Sequence, residues 1–428
     1  MADLRHVRSI RVSLWGQPVG MIVPAPARDY YAFRFEKSFL RSGIEIAPLM
    51  MPLRKEPYAF AELPRNEYGG LPPAFADSLP DAFGNMMIDR WMQQQGYAKS
   101  EVTVLDRLAY VGKRAMGALC YEPERGPGGR PTALEMRRLA EEVRLVQNGE
   151  LIGKDEPDAL REIIRLGSSA GGAQAKAVVG WNRATGEFLL GDRNLPEGFE
   201  HWIVKFTPVE YPWRGEREYA CYLKAKAAGL NVSESVLYEL DGLKHFMTKR
   251  FDRDGLRRHH VQTLSAMAHF PMSVPLANRT YEQLLATVDE LGLGYASLEE
   301  AFRRVAFNVC IDECDDHTRN FSFLLKEGGA WELAPAYDLT GSSFPPDDPW
   351  SAHGGQHQLS VNGKFSKITD DDLLKVADRF AIGTAPRVLK EVKDAVRGEG
   401  GYLVSGFGLL VVEFELKIER RVWNERIS

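Results

Sequence analysis

Residues 315–320 read Asp-Asp-His-Thr-Arg-Asn, and residues 337–339 read Tyr-Asp-Leu. The stretch between them, residues 321–332, has the pattern of a short β-hairpin. Upstream, apolar side chains recur at helical spacing and predict a helix with one buried face: Leu298, Phe302, Val305 and Val309. The sequence therefore predicts a buried helix, a polar loop, a hairpin and a second acidic loop. This order decides how the rest of the chain is interpreted.

An Asp five positions before an Asn, followed by two short strands and a second Asp, is the layout of the catalytic and metal loops of kinases. In that layout Asp315 accepts the proton of the attacking hydroxyl, while Asn320 and Asp338 hold magnesium on nucleotide phosphates. His317 either orients Asp315 or caps the preceding helix, and we give it no proton-transfer role. Each part alone also fits a polar turn and an acid at a strand end. The combination favours phosphoryl transfer, which depends on positioning and charge neutralisation.

A glycine-rich loop lies upstream, where residues 167–176 read Gly-Ser-Ser-Ala-Gly-Gly-Ala-Gln-Ala-Lys. Glycines let backbone N–H groups turn toward phosphates, and Lys176 can neutralise one. The Walker pattern is absent and a strand follows the loop, which favours a kinase-type flap over a P-loop. A flexible surface loop is the alternative interpretation.

Lys205 lies in the apolar strand Trp202–Phe206, shortly after that loop. This is the position of the kinase lysine that contacts the α- and β-phosphates. A buried lysine needs a cleft or an acidic partner, because an unpaired buried charge is costly. Glu218 in the next predicted helix is the candidate partner. The alternative is an edge-strand lysine in solvent.

Two further segments have open interpretations. Residues 247–253, Met-Thr-Lys-Arg-Phe-Asp-Arg, end a strand where a kinase hinge would hydrogen-bond adenine through its backbone, or they are simply a charged strand end. Residues 353–357, His-Gly-Gly-Gln-His, have metal-like His spacing without a nearby acid or thiol. A mobile glycine-rich loop is the preferred interpretation there.

The 428 residues suffice for two to three domains. A hydrophobic content of 44%, a charged content of 26% and a net charge of -5 indicate a globular protein without an overall basic field, although a local patch or a partner could contact DNA. Neither a signal core nor a membrane helix is evident. We interpret the cysteines as buried free thiols of a reducing cytoplasm, which is the expected location: Cys120, Cys221, Cys310 and Cys314.

Strand patterns dominate the first half and helical patterns the second. Predicted strands cover the 8–24 hairpin and residues 31–35, 58–63, 115–121, 175–181, 187–190, 201–206, 236–240 and 245–251. Predicted helices cover residues 81–95, 132–147, 156–166, 216–228, 370–380, 386–397 and 411–425. We therefore predict an α+β, two-lobed protein-kinase-like fold, with a small mixed β-rich N-terminal lobe and a mostly helical C-terminal lobe. The expected divisions are 1–121, 122–250 and 251–428.

Taken together, these ordered motifs resemble the HipA family, the serine/threonine-kinase toxins of bacterial toxin–antitoxin modules. The matching segments are 70–81, 169–176, 203–205, 218–232, 250–253, 315–320 and 335–339. The resemblance implies ATP and Mg²⁺ as cofactors, Asp315 as catalytic base, and Asn320 and Asp338 as metal ligands. It implies nucleotide contacts at Ser169, Ala170, Gly171, Gly172, Ala173, Gln174, Lys176, Lys205, Lys249, Arg250, Phe251, His317, Asn320 and Asp338.

The resemblance also implies how such a kinase would be used. Family members phosphorylate translation components, notably aminoacyl-tRNA synthetases, and bind a small DNA-binding antitoxin (HipB-like) that makes most DNA contacts. They autophosphorylate a serine of the glycine-rich loop, for which Ser169 matches best and Ser168 is the neighbour. The acidic-Gln segment that some members carry after the hinge is replaced by residues 259–265, His-His-Val-Gln-Thr-Leu-Ser, which leaves the target open. A non-catalytic corepressor and a small-molecule kinase are the alternatives.

Overall fold

The structure is a computed structural model. It describes residues 6–25, 30–80, 82–94, 96–126, 132–133, 135–147, 174–190, 195–273, 278–341 and 356–398.

An antiparallel sheet covered by short helices forms the N-terminal unit. Its strands are β1 (Ile10–Leu14), β2 (Gln17–Pro24), β3 (Tyr31–Phe35) and β4 (Leu119–Glu122), in spatial order β3-β2-β1-β4. Its helices are α1 (Arg65–Tyr68), α2 (Pro73–Ala76), α3 (Ala82–Gln94) and α4 (Val104–Val111). Alternate β1 residues are buried, so the predicted hairpin is confirmed.

A six-stranded antiparallel sheet follows. Its strands are β5 (Thr132–Ala133), β6 (Lys176–Trp181), β7 (Phe188–Leu190), β8 (Glu200–Lys205), β9 (Ser235–Leu240) and β10 (Leu243–Lys249), in spatial order β5-β7-β6-β8-β10-β9. Two helices accompany it, α5 (Met136–Gln147) and α6 (Arg214–Ala227). Trp202, Val204 and Met247 are completely buried in the core of this unit.

The remaining chain is mostly helical. Its helices are α7 (Leu264–Met267), α8 (Glu282–Glu290), α9 (Tyr295–Cys310), α10 (Asp370–Arg379) and α11 (Ala385–Arg397). The strands are a β11 (Arg253–Asp254) and β12 (Arg257–Arg258) hairpin, and a sheet of β13 (His260–Thr263), β14 (Ser322–Leu325) and β15 (Trp331–Leu333). A small mixed lobe and a mostly helical lobe are therefore present, and the predicted fold class is confirmed.

Several local predictions were wrong. Residues 58–63 form one bridge, between Tyr58 and Phe33, and Pro64 after them lacks the N–H that a longer strand would use. Residues 132–133 pair with β7 instead of starting a helix, so tertiary pairing overrides the helical pattern there. Helix α4 was not predicted. The helices expected at 156–166 and 411–425 lie outside the described residues.

The N-terminal unit packs against the helical lobe close to its polar loops. The carboxylate of Asp77 accepts hydrogen bonds from the backbone N–H of Thr263 (2.7 Å) and from its hydroxyl (2.9 Å), just before α7. The Tyr68 hydroxyl bonds to the Ser265 side chain at 2.9 Å. Gly117 has a φ of +79°, and a Cβ there would lie 3.0 Å from the backbone nitrogen of Val261. Close backbone approach therefore requires glycine at this contact.

Candidate active site

Lys205 lies at the centre of a cluster of charges between the two lobes. Its Nζ atom contacts the carboxylates of Glu218, on α6, and Asp338, after β15. The side chains of Lys205 and Glu218 are only 9% and 6% exposed, so the sequence-predicted pairing of these two residues is observed. Lys176 is buried and stands directly opposite Lys205 in the antiparallel β6–β8 ladder. Two lysines and two acids thus meet at one end of the six-stranded sheet.

The charges of this cluster stabilise one another. Burial alone would raise the pKa of Asp338, but Lys205 and Lys176 together lower it to about 2. Burial also disfavours the ammonium of Lys205, yet Asp338 and Glu218 raise its pKa above the usual range. Asp338 is therefore an anion and Lys205 a cation at neutral pH. An anionic carboxylate beside two ammonium groups suits a site for a metal–phosphate complex.

The Asp315 loop, in the helical lobe, comes close to this cluster at Asn320, which shares a small cavity with Asp338. Its backbone is held on both sides, because the Asp315 N–H donates to Glu313 (3.0 Å) and the Asp315 carbonyl accepts from the Asn320 amide (2.7 Å). Asn320 and Asp338 line one small cavity, together with residues that flank the β14–β15 hairpin and with two residues of α9. The Asn320 amide nitrogen is directed to Asp315, so its oxygen is the atom suited to a cation. His317 Nε2 lies 3.9 Å from Asp315 Oδ1, beyond hydrogen-bond distance.

These residues fit a magnesium ion. Mg²⁺ prefers oxygen ligands and is commonly bound by one or two protein side chains plus phosphate oxygens. Asp338 supplies a carboxylate of low pKa and Asn320 an amide oxygen in the same cavity. The donor set is therefore adequate, provided that a nucleotide brings the remaining oxygens.

The side chains of the predicted hinge contact other groups of the protein. Lys249 pairs with Glu200. The fully buried Arg250 donates to Asp252 at 2.9 and 2.8 Å. The Phe251 ring lies 5.8 Å from that of Tyr337, next to Asp338. The side chains of Lys249 and Arg250 are therefore already paired within the protein.

The glycine-rich loop is described only at its end. Ser168, Ser169, Ala170, Gly171, Gly172 and Ala173 lie outside the described residues. Gln174 donates its side-chain amide to the Phe206 carbonyl at 3.1 Å, which ties the end of the loop to the strand that carries Lys205.

One acid that the sequence motifs did not single out, Glu313, joins the two polar loops. Glu313 is buried and accepts hydrogen bonds from the N–H groups of Asp315 (3.0 Å), Thr340 (2.5 Å) and Gly341 (2.8 Å). Burial raises the pKa of Glu313 to about 7, against the effect of these donors. Its place two residues before Asp315 was a signal, but spacing does not reveal its partners.

The second acid of the loop, Asp316, has a structural partner that was also missed. His357 donates from Nδ1 to Asp316 Oδ2 at 2.8 Å, and both side chains are buried. His357 is therefore a buried residue with an acidic partner, which corrects the interpretation of this histidine as part of a mobile loop without a nearby acid. His353, Gly354 and Gly355 lie outside the described residues. Across the described ranges, no group of three or more His, Cys, Asp or Glu side chains is arranged as a metal site.

Comparison with known proteins identifies relatives over nearly the full chain. A Sinorhizobium fredii protein named "Putative kinase Y4dM" is 24% identical over 417 residues, covering 90% of this chain and 91% of that protein. A Haemophilus influenzae protein named "Putative kinase" is 30% identical over 160 residues, which are 34% of this chain and 47% of that protein.

A solved structure shares the fold. A chain of the Shewanella oneidensis MR-1 complex of HipA, HipB and operator DNA aligns with a TM-score of 0.60 and 16% identity, over 90% of both chains. Within the part of our chain that the structure describes, no helix is long and apolar enough to cross a membrane.

Two family models match different parts of the chain. Residues 10–122 match the HipA N-terminal domain, and residues 168–399 match the HipA-like C-terminal domain. The second match alone spans more than half of the 428 residues and includes Lys176, Lys205, Asp315, Asn320 and Asp338. With its kinase-like fold and both of the domains that define the family, the chain belongs to the HipA family.

Proposed function

We propose that this chain is an ATP-dependent serine/threonine protein kinase that acts as the growth-inhibiting toxin of a toxin–antitoxin module. The observation that carries the proposal is the Lys205–Glu218–Asp338 cluster, in which Asp338 shares a small cavity with Asn320 of the Asp315–Asn320 loop. Phosphoryl transfer requires this set, a cation for the phosphates, two metal ligands and a base. The names of two relatives, both called kinases, agree with it.

Each residue then has its own task. Lys205, held by Glu218, and Lys176 would bind phosphate oxygens, while Asp338 and Asn320 would hold the metal. Bound magnesium neutralises the charge that develops on the phosphates. Asp315 accepts the proton of the acceptor hydroxyl. At the same time the hydroxyl oxygen bonds to the γ-phosphorus, and the bond between that phosphorus and the β–γ bridging oxygen breaks. The site supplies charge and position, and ADP departs with that bridging oxygen.

Substrate, regulation and partner follow from the family. We propose a translation component such as an aminoacyl-tRNA synthetase as substrate, with autophosphorylation at Ser169 or Ser168 silencing the enzyme. A phosphate would add nearly two negative charges to a loop whose described end, Gln174, is tied to the strand of Lys205, and we propose that this charge expels the loop. We propose a HipB-like DNA-binding antitoxin as partner, because the related solved complex contains HipB and DNA. The net charge of -5 is consistent with DNA contacts made mainly by that partner, in the cytoplasm.

The test is phosphate transfer by the purified full chain. With ATP labelled in the γ-phosphate and Mg²⁺, we expect label on the chain and on one protein of a bacterial lysate, mapped by mass spectrometry. Asp315→Asn should reduce the rate by about a thousandfold or more, because transfer loses its base and the charge of that carboxylate. The matched control is Asp371→Asn, a 72% exposed acid on α10, which should keep full activity.

The other outcomes separate the alternatives. Tight binding to a DNA-binding partner with no labelled product would favour a non-catalytic corepressor. Label on a metabolite instead of a protein would favour a small-molecule kinase. Either result would overturn the proposal.

A further inference from the structure

The segment of residues 356–362, which follows Asp338 in the chain, docks on the Asp315 loop through Asp316. The two oxygens of Asp316, a residue only 1% exposed, accept from different groups of this segment. Oδ2 accepts from the His357 ring at 2.8 Å, and Oδ1 accepts from the backbone N–H of Gln358 at 2.6 Å. Because Asp316 is the direct neighbour of Asp315, these bonds determine where Gln358 stands relative to Asp315.

The other side of the segment is held as well. Leu359 and Val361 are buried in the core of the helical lobe. The backbone of Ser360 donates to the Arg279 carbonyl at 2.9 Å and accepts from the Tyr281 N–H at 2.9 Å. Anchored from both sides, the segment is a rigid support for any side chain that it directs at the active site.

Gln358 directs its side chain at the base. Its Nε2 donates to Asp315 Oδ1 at 2.9 Å. Because a carboxylate oxygen only accepts hydrogen bonds, the end of the Gln358 amide that faces it is the NH₂ group. The Asp315 side chain is 33% exposed. A surface carboxylate changes its torsion readily, and misplacement of a base by about an ångström costs about a hundredfold in rate. A neutral donor restricts that torsion without adding a charge beside the carboxylate.

We propose that Gln358 is a positioning residue for Asp315, through which the 356–362 segment sets the orientation of the base toward the acceptor hydroxyl. This inference rests on the proposed kinase function and deepens it. The Gln358 side chain contacts the base, while its backbone N–H anchors the segment, so that side-chain changes leave the anchor intact.

The experiment measures single-turnover transfer of labelled γ-phosphate from ATP to the purified chain itself. Gln358→Met has a similar length but no donor, and it should lower the rate about tenfold to a hundredfold while the KM for ATP stays within twofold. Gln358→Glu should lower the rate at least as much, because a second carboxylate repels the first. The matched controls are Gln356→Met and Gln356→Glu, at an exposed glutamine of the same segment, and both should match the wild type.

A double-variant comparison separates positioning from a general structural effect. In an Asp315→Asn background, Gln358→Met should cause no further loss, since its effect acts through the base. Equal rates for Gln358→Met, Gln358→Glu and wild type would overturn the inference and leave the kinase function standing. A full additional loss in the Asp315→Asn background would overturn it too. Absence of Asp315-dependent transfer in the wild type would remove the proposed function, and the inference with it.

Discussion

Glu313 is the residue on which the relation between the two polar loops depends. Its carboxylate accepts from the backbone N–H of Asp315, the proposed base, and from two backbone N–H groups after Asp338. Those bonds keep the two loops in register, but burial makes the ionised form costly and raises the pKa of Glu313 to about 7. A titrating group thus lies inside the site near neutral pH.

Removing this titration should change how stability depends on pH. The pKa of this carboxyl is higher in the folded than in the unfolded chain. The free energy of unfolding therefore falls as pH rises from about 4.5 to 7, by up to about 3 kcal/mol. Relative to wild type, Glu313→Gln should therefore gain stability as pH rises through this window, measured by urea denaturation. Glu327→Gln, at an exposed position, is the control. A constant difference between Glu313→Gln and wild type at every pH would contradict the assignment.

Lys205 stabilises the fold as well as the site. Lys205→Met leaves Glu218 and Asp338 without their shared cation and should lower the free energy of unfolding by about 3–5 kcal/mol at pH 7. Adding Glu218→Gln removes one of the two unpaired acids, so the double variant should recover part of that loss. Chemical denaturation gives both values. A double variant less stable than Lys205→Met would show that the acids do not depend on the lysine.

At the scale of elements, the β6–β8 ladder brings two lysines from distant parts of the sequence together at the proposed phosphate site. Residues 176 and 205 are direct partners across these antiparallel strands, and both side chains are buried. Residues opposite each other in such a ladder direct their side chains to the same face. The strand that follows the glycine-rich loop therefore supplies a second cation beside Lys205.

Lys176→Met tests that arrangement. Loss of this charge should raise the KM for ATP about tenfold, equivalent to about 1.4 kcal/mol, with a smaller effect on kcat. Lys226→Met, at an exposed position on α6, is the matched control for the loss of one positive charge. If both variants raise the KM equally, the effect is one of net charge and Lys176 does not contact the phosphates.

At the scale of the whole molecule, a buried ion cluster joins the proposed hinge to the N-terminal unit. Asp252 is completely buried and accepts from Arg250, from Arg253 (2.6 Å) and from the Gly117 N–H (2.7 Å). The two guanidinium groups hold the pKa of Asp252 well below its usual range, against the effect of burial. The unit that contains β4 is thereby coupled to the strand end where a nucleotide would bind.

Asp252→Asn should weaken this coupling. Two buried guanidinium groups would lose their anion, at a cost of about 3–5 kcal/mol. We expect a wild type that unfolds in one calorimetric transition at pH 7 and a variant that melts lower, with the N-terminal unit separating as its own transition. Asp254→Asn, at an exposed position two residues on, is the control. A variant with the same melting temperature as the wild type, and with one transition, would contradict the role of this cluster.

Local pattern accounts for what could be predicted. Alternation identified the β1–β2 hairpin, helical spacing identified α9, and the offsets among Asp315, Asn320 and Asp338 identified the two polar loops. Each of these patterns depends on the order of residues within a short stretch of the chain. The pairing of Lys205 with Glu218 was also foreseeable, because a buried lysine requires an acid and the next helix offers one.

The sequence by itself determined the lobes, the order of the motifs and the residue types that phosphate chemistry needs. Only the tertiary structure decided which neutral or acidic groups hold those residues in place. Glu313, His357 and Gln358 act across the fold on Asp315, Asp316 and the chain after Asp338. Their partners depend on how loops, strands and helices pack, and the direction of a buried hydrogen bond is not encoded in the spacing of residues along the chain.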